Sequence, residues 1–149
     1  DIYVALAWAV GGVFLPLFYY FFSFNFFLYF IFIFIFLRWI INTVFFDLKD
    51  IESDKKERLL TFPVKFGEKK TLQFLHIINI ISFLPLFFGA FLEIIPFYSL
   101  GLVILYFYSF YYLKKAVEID PKSLRQFSYV MVDGEYIFWP MVLFLTKPL

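Results

Sequence analysis

Three aspartates in one short charged segment are the residues of this sequence best suited to chemistry. Asp47, Asp50 and Asp54 stand at positions i, i+3 and i+7, which places their carboxylates on one face if the preceding helix continues through them. Like charges one helical turn apart repel each other by roughly a few tenths of a kcal/mol. A positive partner is therefore expected, and carboxylate oxygens suit a hard divalent cation such as Mg²⁺.

The composition indicates where this segment is held. The chain has 149 residues, of which 63% are hydrophobic and 27% aromatic, and its mean hydropathy is +0.84, whereas a soluble domain is about 45–50% apolar. These values predict an integral membrane protein. The sequence contains no Cys and a single His, His76, which excludes thiolate catalysis, Cys-based metal sites and multi-His sites.

The elements that position the aspartates are predicted to be membrane-spanning helices. No charged side chain occurs from Ile2 to Leu37, and one helix of that length would measure roughly 54 Å, too long for a hydrocarbon core of about 30 Å. Two spans with a turn near Ser23 and Asn25 fit better. Continuing along the chain, we predict an all-α integral membrane helical bundle with five spans, at about 2–20, 25–46, 71–92, 97–113 and 126–145. Pro85 is expected to kink the third of these spans.

Basic residues set the expected orientation. Most of the 13 Lys and Arg residues lie in the loops 47–70 and 114–125, and none lies in the turns near Ser23 and Glu93. Because cytoplasmic loops carry an excess of Lys and Arg, we expect a multi-pass protein of the cell membrane with both charged loops in the cytoplasm. The aspartates would then lie at the cytoplasmic mouth of the second span.

Other polar residues within the spans leave alternatives open. Arg38 either reaches the headgroup level beside Trp39 or faces a polar cavity. Asp133 and Glu135, separated by Gly134, either face a cavity or mark a helix break. His76 is expected to be a packed or interfacial residue rather than a ligand.

The residues around the aspartates resemble a known motif. The run from Asp47 to Lys55, with Asp50-Ile51-Glu52-Ser53-Asp54 at its centre, is followed by Thr61-Phe62-Pro63-Val64-Lys65-Phe66-Gly67. This pattern resembles the second aspartate motif of the UbiA-type membrane prenyltransferases. The opening Ile2-to-Trp8 segment is similar to the fifth helix of that family, and Val132-Asp133-Gly134-Glu135 is similar to a stretch of its last helix.

The resemblance implies a nine-helix fold of which residues 1–149 supply the C-terminal half, helices five to nine, with the N-terminal helices of the same fold missing. It implies Mg²⁺-dependent transfer of an isoprenoid chain from a polyprenyl pyrophosphate to an aromatic or lipid-like acceptor. In this reading Asp50 and Asp54 bind Mg²⁺, Lys55 and Arg58 contact the pyrophosphate, and Asp47 is a third ligand or a base toward the acceptor. The family's first aspartate motif does not occur in this sequence.

Smaller departures affect the loop rather than the proposed ligands. Ser53 and Arg58 stand where the family commonly has Gly, Leu60 stands where a basic residue often precedes the Thr, and Phe62 replaces Leu. These differences concern contacts to phosphate more than contacts to a metal ion.

Two further functions remain as alternatives. The aspartates could bind a divalent cation in a transport pathway, although their position past a full span disfavours this. The chain could also be a non-catalytic half that needs an N-terminal partner. The acceptor stays open between hydroxybenzoate or naphthoate rings, a porphyrin, and a glycerol-phosphate lipid of archaeal type, which the Asp47-x-x-Asp50 pair somewhat resembles. Five hydrophobic spans exclude the soluble isoprenyl pyrophosphate synthases.

Overall fold

The computed structural model describes residues 2–20 and 25–148, and for residues 16–20 and 121–122 only the backbone is described. This part of the chain is helical and contains no β-strand, as predicted. The helices are α1 (Ile2–Tyr20), α2 (Phe26–Leu48), α3 (Ile51–Lys56), α4 (Phe62–Phe66), α5 (Glu68–Ser82), α6 (Leu84–Phe91), a 3₁₀ segment (Phe97–Val103), α7 (Ile104–Ala116), α8 (Pro121–Ser128), a π-helical turn (Tyr129–Asp133) and α9 (Gly134–Thr146).

Helices α1 and α2 form an antiparallel pair whose bounds match the first two predicted spans. Asn25 caps α2 by accepting a hydrogen bond from the backbone N–H of Leu28 at 3.1 Å. Small side chains on one stripe of α1, including the buried Ala5 and Ala9, allow close approach to α2. The indole rings of Trp8 and Trp39 stack between the two helices at 5.1 Å.

The third predicted span is a broken helix. Helix α5 ends at Ser82 and α6 begins at Leu84, with Pro85 in its first turn, because proline cannot donate the backbone hydrogen bond that would continue α5. At the end of α6, the carbonyl of Gly89 accepts hydrogen bonds from the N–H groups of Ile94 and Ile95 at 2.9 and 3.0 Å. The predicted kink at Pro85 is therefore confirmed.

The last two predicted spans are less regular than expected. Residues 97–103 are 3₁₀-helical, and the final segment contains a π-helical turn before α9. A side-chain bond accompanies this turn, because the Tyr108 hydroxyl donates to the Met131 carbonyl at 2.8 Å. Gly101 packs closely against α9: a Cβ there would lie 2.3 Å from Thr146 Cγ2.

Two helical stretches in the described ranges are long and apolar enough to cross a bilayer, namely α2 and the α5–α6 pair over Glu68–Phe91. The apolar helix Ile2–Leu15 is shorter. The structure thus confirms an all-α protein with helices of membrane length, and the five crossings stay a prediction.

Helix α2 is central to the packing, since it contacts α1, α5 and α6. Two apolar clusters lie along it, one around Phe34 and Leu86 and the other around Ile41 and Phe45. Arg38 lies on α2 between these clusters, and Asp47 lies in the last turn of the same helix. Helix α2 thus connects the packed centre of the fold to the charged segment.

Candidate active site

The predicted aspartate face is interrupted in the structure. Helix α2 ends at Leu48, residues 49–50 form a turn, and α3 begins at Ile51, so the three aspartates do not share one continuous helix. The interruption places Asp50 at the start of α3, where negative charge is favoured. The backbone N–H of Asp54 still bonds to the Asp50 carbonyl at 2.8 Å, so these two residues lie one helical turn apart.

Asp54 is held by the segment that follows α3. Its side chain is buried, with the residue 9% exposed, and Thr61 Oγ1 donates a hydrogen bond to Asp54 Oδ2 at 2.9 Å. Thr61 is the residue that precedes α4. This contact gives a physical reason for the number of residues between the aspartates and the Thr61-to-Gly67 segment. Thr61 fixes the orientation of the Asp54 carboxylate and must therefore lie within hydrogen-bond distance of it.

Asp50 is partnered by a lysine that sequence reasoning did not single out. Lys49 Nζ forms an ion pair with Asp50 Oδ2 and lies 5.4 Å from the ring centroid of Phe46 and 5.7 Å from that of Tyr129. The side chain of Lys49 is only 10% exposed. In the sequence, the position of Lys49 between two aspartates is the feature that could have identified it. The structure makes Lys49 a better candidate than Lys55 for a cation held inside the site.

Asp47 is half-buried in the last turn of α2. Its Oδ2 atom is buried and has no hydrogen-bond partner within the described ranges, and the same holds for Asn42 Nδ2, five residues earlier on α2. Buried polar atoms are normally paired. An acceptor and a donor left open on one helix near the aspartates therefore indicate a place for a ligand.

Lys55 and Arg58, the predicted pyrophosphate contacts, are exposed. Arg58 adopts a left-handed conformation with φ of 58°. The N–H of Leu59 bonds to the Asp54 carbonyl and the N–H of Arg58 to the Lys55 carbonyl, at 2.8 and 3.2 Å, which is the Schellman arrangement at the end of a helix. Glycine suits this conformation best, which explains why Gly is common here in the family pattern.

The donor set fits Mg²⁺ in chemistry but is not a complete cage. Within the described ranges no group of three or more His, Cys, Asp or Glu side chains is close enough to hold a metal ion. Mg²⁺ usually binds through one or two carboxylates together with substrate phosphates and water. The Asp50–Asp54 pair is compatible with that mode.

A second polar cluster lies deeper, around Arg38. The guanidinium is buried, with the residue 1% exposed. Of the two positions considered for Arg38, the structure therefore excludes the one at the headgroup level. Arg38 Nε donates to Glu135 Oε1 at 2.9 Å, and Nη2 also contacts this oxygen. Arg38 Nη1 donates to Asn79 Oδ1 at 2.6 Å, and Nη2 donates to Ser109 Oγ at 2.5 Å.

Glu135 completes this cluster from α9. Its Oε2 accepts a hydrogen bond from the Tyr112 hydroxyl at 3.2 Å and lies 3.1 Å from Ser109 Oγ, whose one hydrogen also faces the Leu105 carbonyl at 2.7 Å. Asp133, two residues earlier, is exposed at the end of the π-helical turn. The cluster thus joins α2, α5, α7 and α9 through one ion pair, and its saturated hydrogen bonds indicate a structural role.

Comparison with known proteins assigns the chain to a protein family. The model of the UbiA prenyltransferase family matches residues 2–132, most of the chain. No curated protein and no solved structure matches this chain. The chain belongs to the UbiA prenyltransferase family, whose members are membrane-embedded transferases of prenyl groups.

Proposed function

We propose that this chain forms part of the active site of an Mg²⁺-dependent prenyltransferase that moves an isoprenoid chain from a polyprenyl pyrophosphate to a hydrophobic acceptor within the membrane. The observation that carries the proposal is the Asp50–Asp54 turn at the end of a membrane-length helix, with Asp54 held by Thr61. Family membership supports the reaction class.

Asp50 and Asp54 would hold the metal ion, which when bound neutralises the developing charge on the leaving pyrophosphate. Lys49, Lys55 and Arg58 supply positive charge around the same group. In the reaction the C–O bond of the allylic pyrophosphate breaks, a bond to the acceptor forms, and the acceptor loses a proton. Asp47 would take that proton, because its Oδ2 atom has no hydrogen-bond partner within the described ranges and a carboxylate is a suitable base.

An apolar groove beside the site suits the isoprenoid chain. It has a volume of about 600 Å³, in the range of ligand pockets. Its walls come from α1, α2, the loop after α3, α4 and α5, and they include Tyr3, Ile40, Leu60, Phe62 and Phe74. Thr61, which orients Asp54, and Lys65 also line the groove. A prenyl tail lying here would keep its pyrophosphate next to α3.

We further propose that residues 1–149 are the C-terminal half of one nine-helix domain, that the five predicted segments all cross the membrane, and that both charged loops face the cytoplasm. A second aspartate motif from further helices would complete the metal site. The single aspartate motif in this sequence and the small donor set of the site motivate this proposal. The alternative of a non-catalytic half differs from this proposal only in whether the partner helices belong to the same polypeptide.

Transport of a divalent cation gains no support from the deeper polar residues. Arg38 and Glu135 pair with each other in the centre of the bundle, which places a saturated ion pair where a cation pathway would need open oxygens.

Prenyl transfer is tested with the full-length protein in lipid nanodiscs, with radiolabelled geranylgeranyl pyrophosphate and MgCl₂ and a panel of aromatic and glycerol-phosphate acceptors. The proposal predicts transfer that EDTA abolishes and MgCl₂ restores. Transfer that persists in EDTA would remove the role of the metal, and uptake of Mg²⁺ into vesicles without any transfer would favour transport.

A further inference from the structure

A second groove lies between α5 and the end of α7. Its volume is about 580 Å³. Its lining consists of Glu68, Lys69, Leu72, Gln73 and His76 of α5 and of Val117, which follows α7. Phe74, which lines the groove beside the aspartates, is two residues from His76 and therefore projects from nearly the opposite side of α5. The α5–α7 groove is thus separate from the candidate active site.

An aromatic contact fixes how the two helices face each other along this groove. The rings of His76 and Phe110 lie 5.3 Å apart. Lys69 precedes His76 by two helical turns, and Val117 follows Phe110 by the same distance along α7. Lys114 stands at i+4 from Phe110 and so lies on the same face of α7. The groove therefore has an aromatic inner end, and Lys69 and Lys114 lie toward its outer end.

The two lysines at this outer end form no ion pair. Lys69 and Lys114 are exposed, and neither pairs with an acid within residues 2–20 and 25–148. Lys115 and, to a smaller extent, Lys114 lower the pKa of Glu118, but the hydrogen bond to Glu118 comes from Lys115, at 2.7 Å. Glu68 offsets only one of the two free charges. The outer end of the groove is therefore positive and open to an anion.

Apolar surface continues from the inner end of the groove. The stretch Glu68–Phe91 is long and apolar enough to cross a bilayer, so the groove lies at one end of it. Ile80 lies one turn beyond His76 on α5 and is exposed. Phe107 lies one turn before Phe110 on α7 and is exposed as well. Cationic side chains next to exposed apolar surface match a phospholipid, which joins a charged headgroup to hydrocarbon chains.

We propose that the α5–α7 groove binds an anionic phospholipid, with the lipid phosphate between Lys69 and Lys114. The acyl chains run from there along Ile80 and Phe107. Gln73, on the wall of the groove, offers its side-chain amide as a further donor to a phosphate or ester oxygen. The site uses no residue of the aspartate segment, so it does not depend on the proposed prenyl transfer.

Native mass spectrometry of the full-length protein, released from detergent micelles, tests the lipid site. The delipidated protein is titrated with phosphatidylglycerol, which is anionic, or with phosphatidylcholine of the same chain length, which has a phosphate but no net charge. The mass of each complex gives the number of bound lipids, and the titration gives the affinity for the first one. A parallel titration adds inorganic phosphate to the phosphatidylglycerol complex.

The wild type should bind the first phosphatidylglycerol about 10-fold more tightly than the first phosphatidylcholine, because two lysines act on its net charge. The double variant Lys69→Gln/Lys114→Gln should lose most of this preference. Lys70→Gln/Lys115→Gln is the matched control, since it removes the same charge from positions turned by about 100° around each helix, away from the groove. This control should retain the preference.

Equal affinity of the wild type for the two lipids would overturn the proposal even if the variants failed to fold. A preference that survives in Lys69→Gln/Lys114→Gln, or that both double variants lose equally, would overturn the assignment to this groove. Displacement of the lipid by inorganic phosphate would make the groove a site for free phosphate instead. Retention of neither lipid would leave the groove to another helix and would equally overturn the proposal.

Discussion

Replacing Arg38 by methionine tests the account of the bundle centre. The substitution removes the guanidinium that donates to Glu135, Asn79 and Ser109 and leaves the Glu135 carboxylate buried without its counter-ion. Removing one partner of a buried ion pair costs about 3–5 kcal/mol. We therefore expect Arg38→Met to lower the free energy of unfolding by that amount.

The double variant Arg38→Met/Glu135→Met should regain about 2 kcal/mol or more of this loss, because it removes the stranded charge. The neighbouring groups keep partners of their own. Asn79 Nδ2 donates to the Tyr106 carbonyl at 3.2 Å, and the Ser109 hydroxyl donates to the Leu105 carbonyl at 2.7 Å. Few polar groups are therefore stranded when both charges are removed.

The assay is reversible unfolding of the full-length protein in mixed micelles as the mole fraction of SDS rises, followed by Trp fluorescence. Glu118→Met is the matched control for the single variant Glu135→Met, since Glu118 accepts a hydrogen bond from Lys115 at 2.7 Å in an exposed ion pair. That bond lowers the pKa of Glu118, yet exposed pairs contribute little to stability. Losses in the two single Met variants that simply add in the double variant would refute the coupling.

Three further substitutions test local features. Arg58→Gly should raise the free energy of unfolding by about 1 kcal/mol, because it relieves a left-handed conformation, and should raise the KM for the prenyl pyrophosphate several-fold if the guanidinium contacts phosphate. Thr61→Val removes the hydroxyl that orients Asp54 and should raise the MgCl₂ concentration for half-maximal transfer about 5-fold, the value of one hydrogen bond. Gly89→Ala places a Cβ 2.5 Å from Ile95 Cδ1 and should cost about 1–3 kcal/mol in the SDS unfolding assay.

The Arg58→Gly and Gly89→Ala substitutions each have a control on the same chain. Lys56→Gly removes a nearby charge inside α3 without relieving strain, so it should lower stability where Arg58→Gly raises it. Gly12→Ala has no atom within 4 Å of the added Cβ and should not destabilise the protein. If Arg58→Gly leaves the KM for the prenyl pyrophosphate unchanged, Arg58 forms the turn but does not contact phosphate. If Thr61→Val leaves the MgCl₂ dependence of transfer unchanged, Thr61 has no role in metal binding.

Local sequence signals predicted the parts of the fold that depend on neighbouring residues. Three local signals predicted α1, the start of α2 and the break between α5 and α6. They are the uncharged run ending at Leu37, the turn expected near Ser23 and Asn25, and the proline at position 85. Each signal acts within a few residues along the chain. The aspartate segment and the Thr61-to-Gly67 segment were recognised by their resemblance to a motif of fixed spacing, but the hydrogen bond between Thr61 and Asp54 was not predicted.

Features that depend on distant contacts could not be derived from local patterns. Arg38 and Glu135 are 97 positions apart, and nothing near either residue specifies the other, so the sequence did not predict the buried ion pair. The π-helical turn is accompanied by a bond from Tyr108, which lies in another helix. The burial of Lys49 involves the rings of Phe46 and Tyr129, and the spacing of the aspartates does not reveal these contacts.

The central claim is that the Asp50–Asp54 turn holds the metal ion for prenyl transfer. Its most direct test compares Asp50→Ala and Asp54→Ala with Glu52→Ala, an exposed acid of the same helix, in the nanodisc transfer assay with MgCl₂. We expect the two aspartate variants to lose about 10²-fold or more in kcat, and Glu52→Ala to retain wild-type transfer. Undiminished transfer in both aspartate variants would contradict the site.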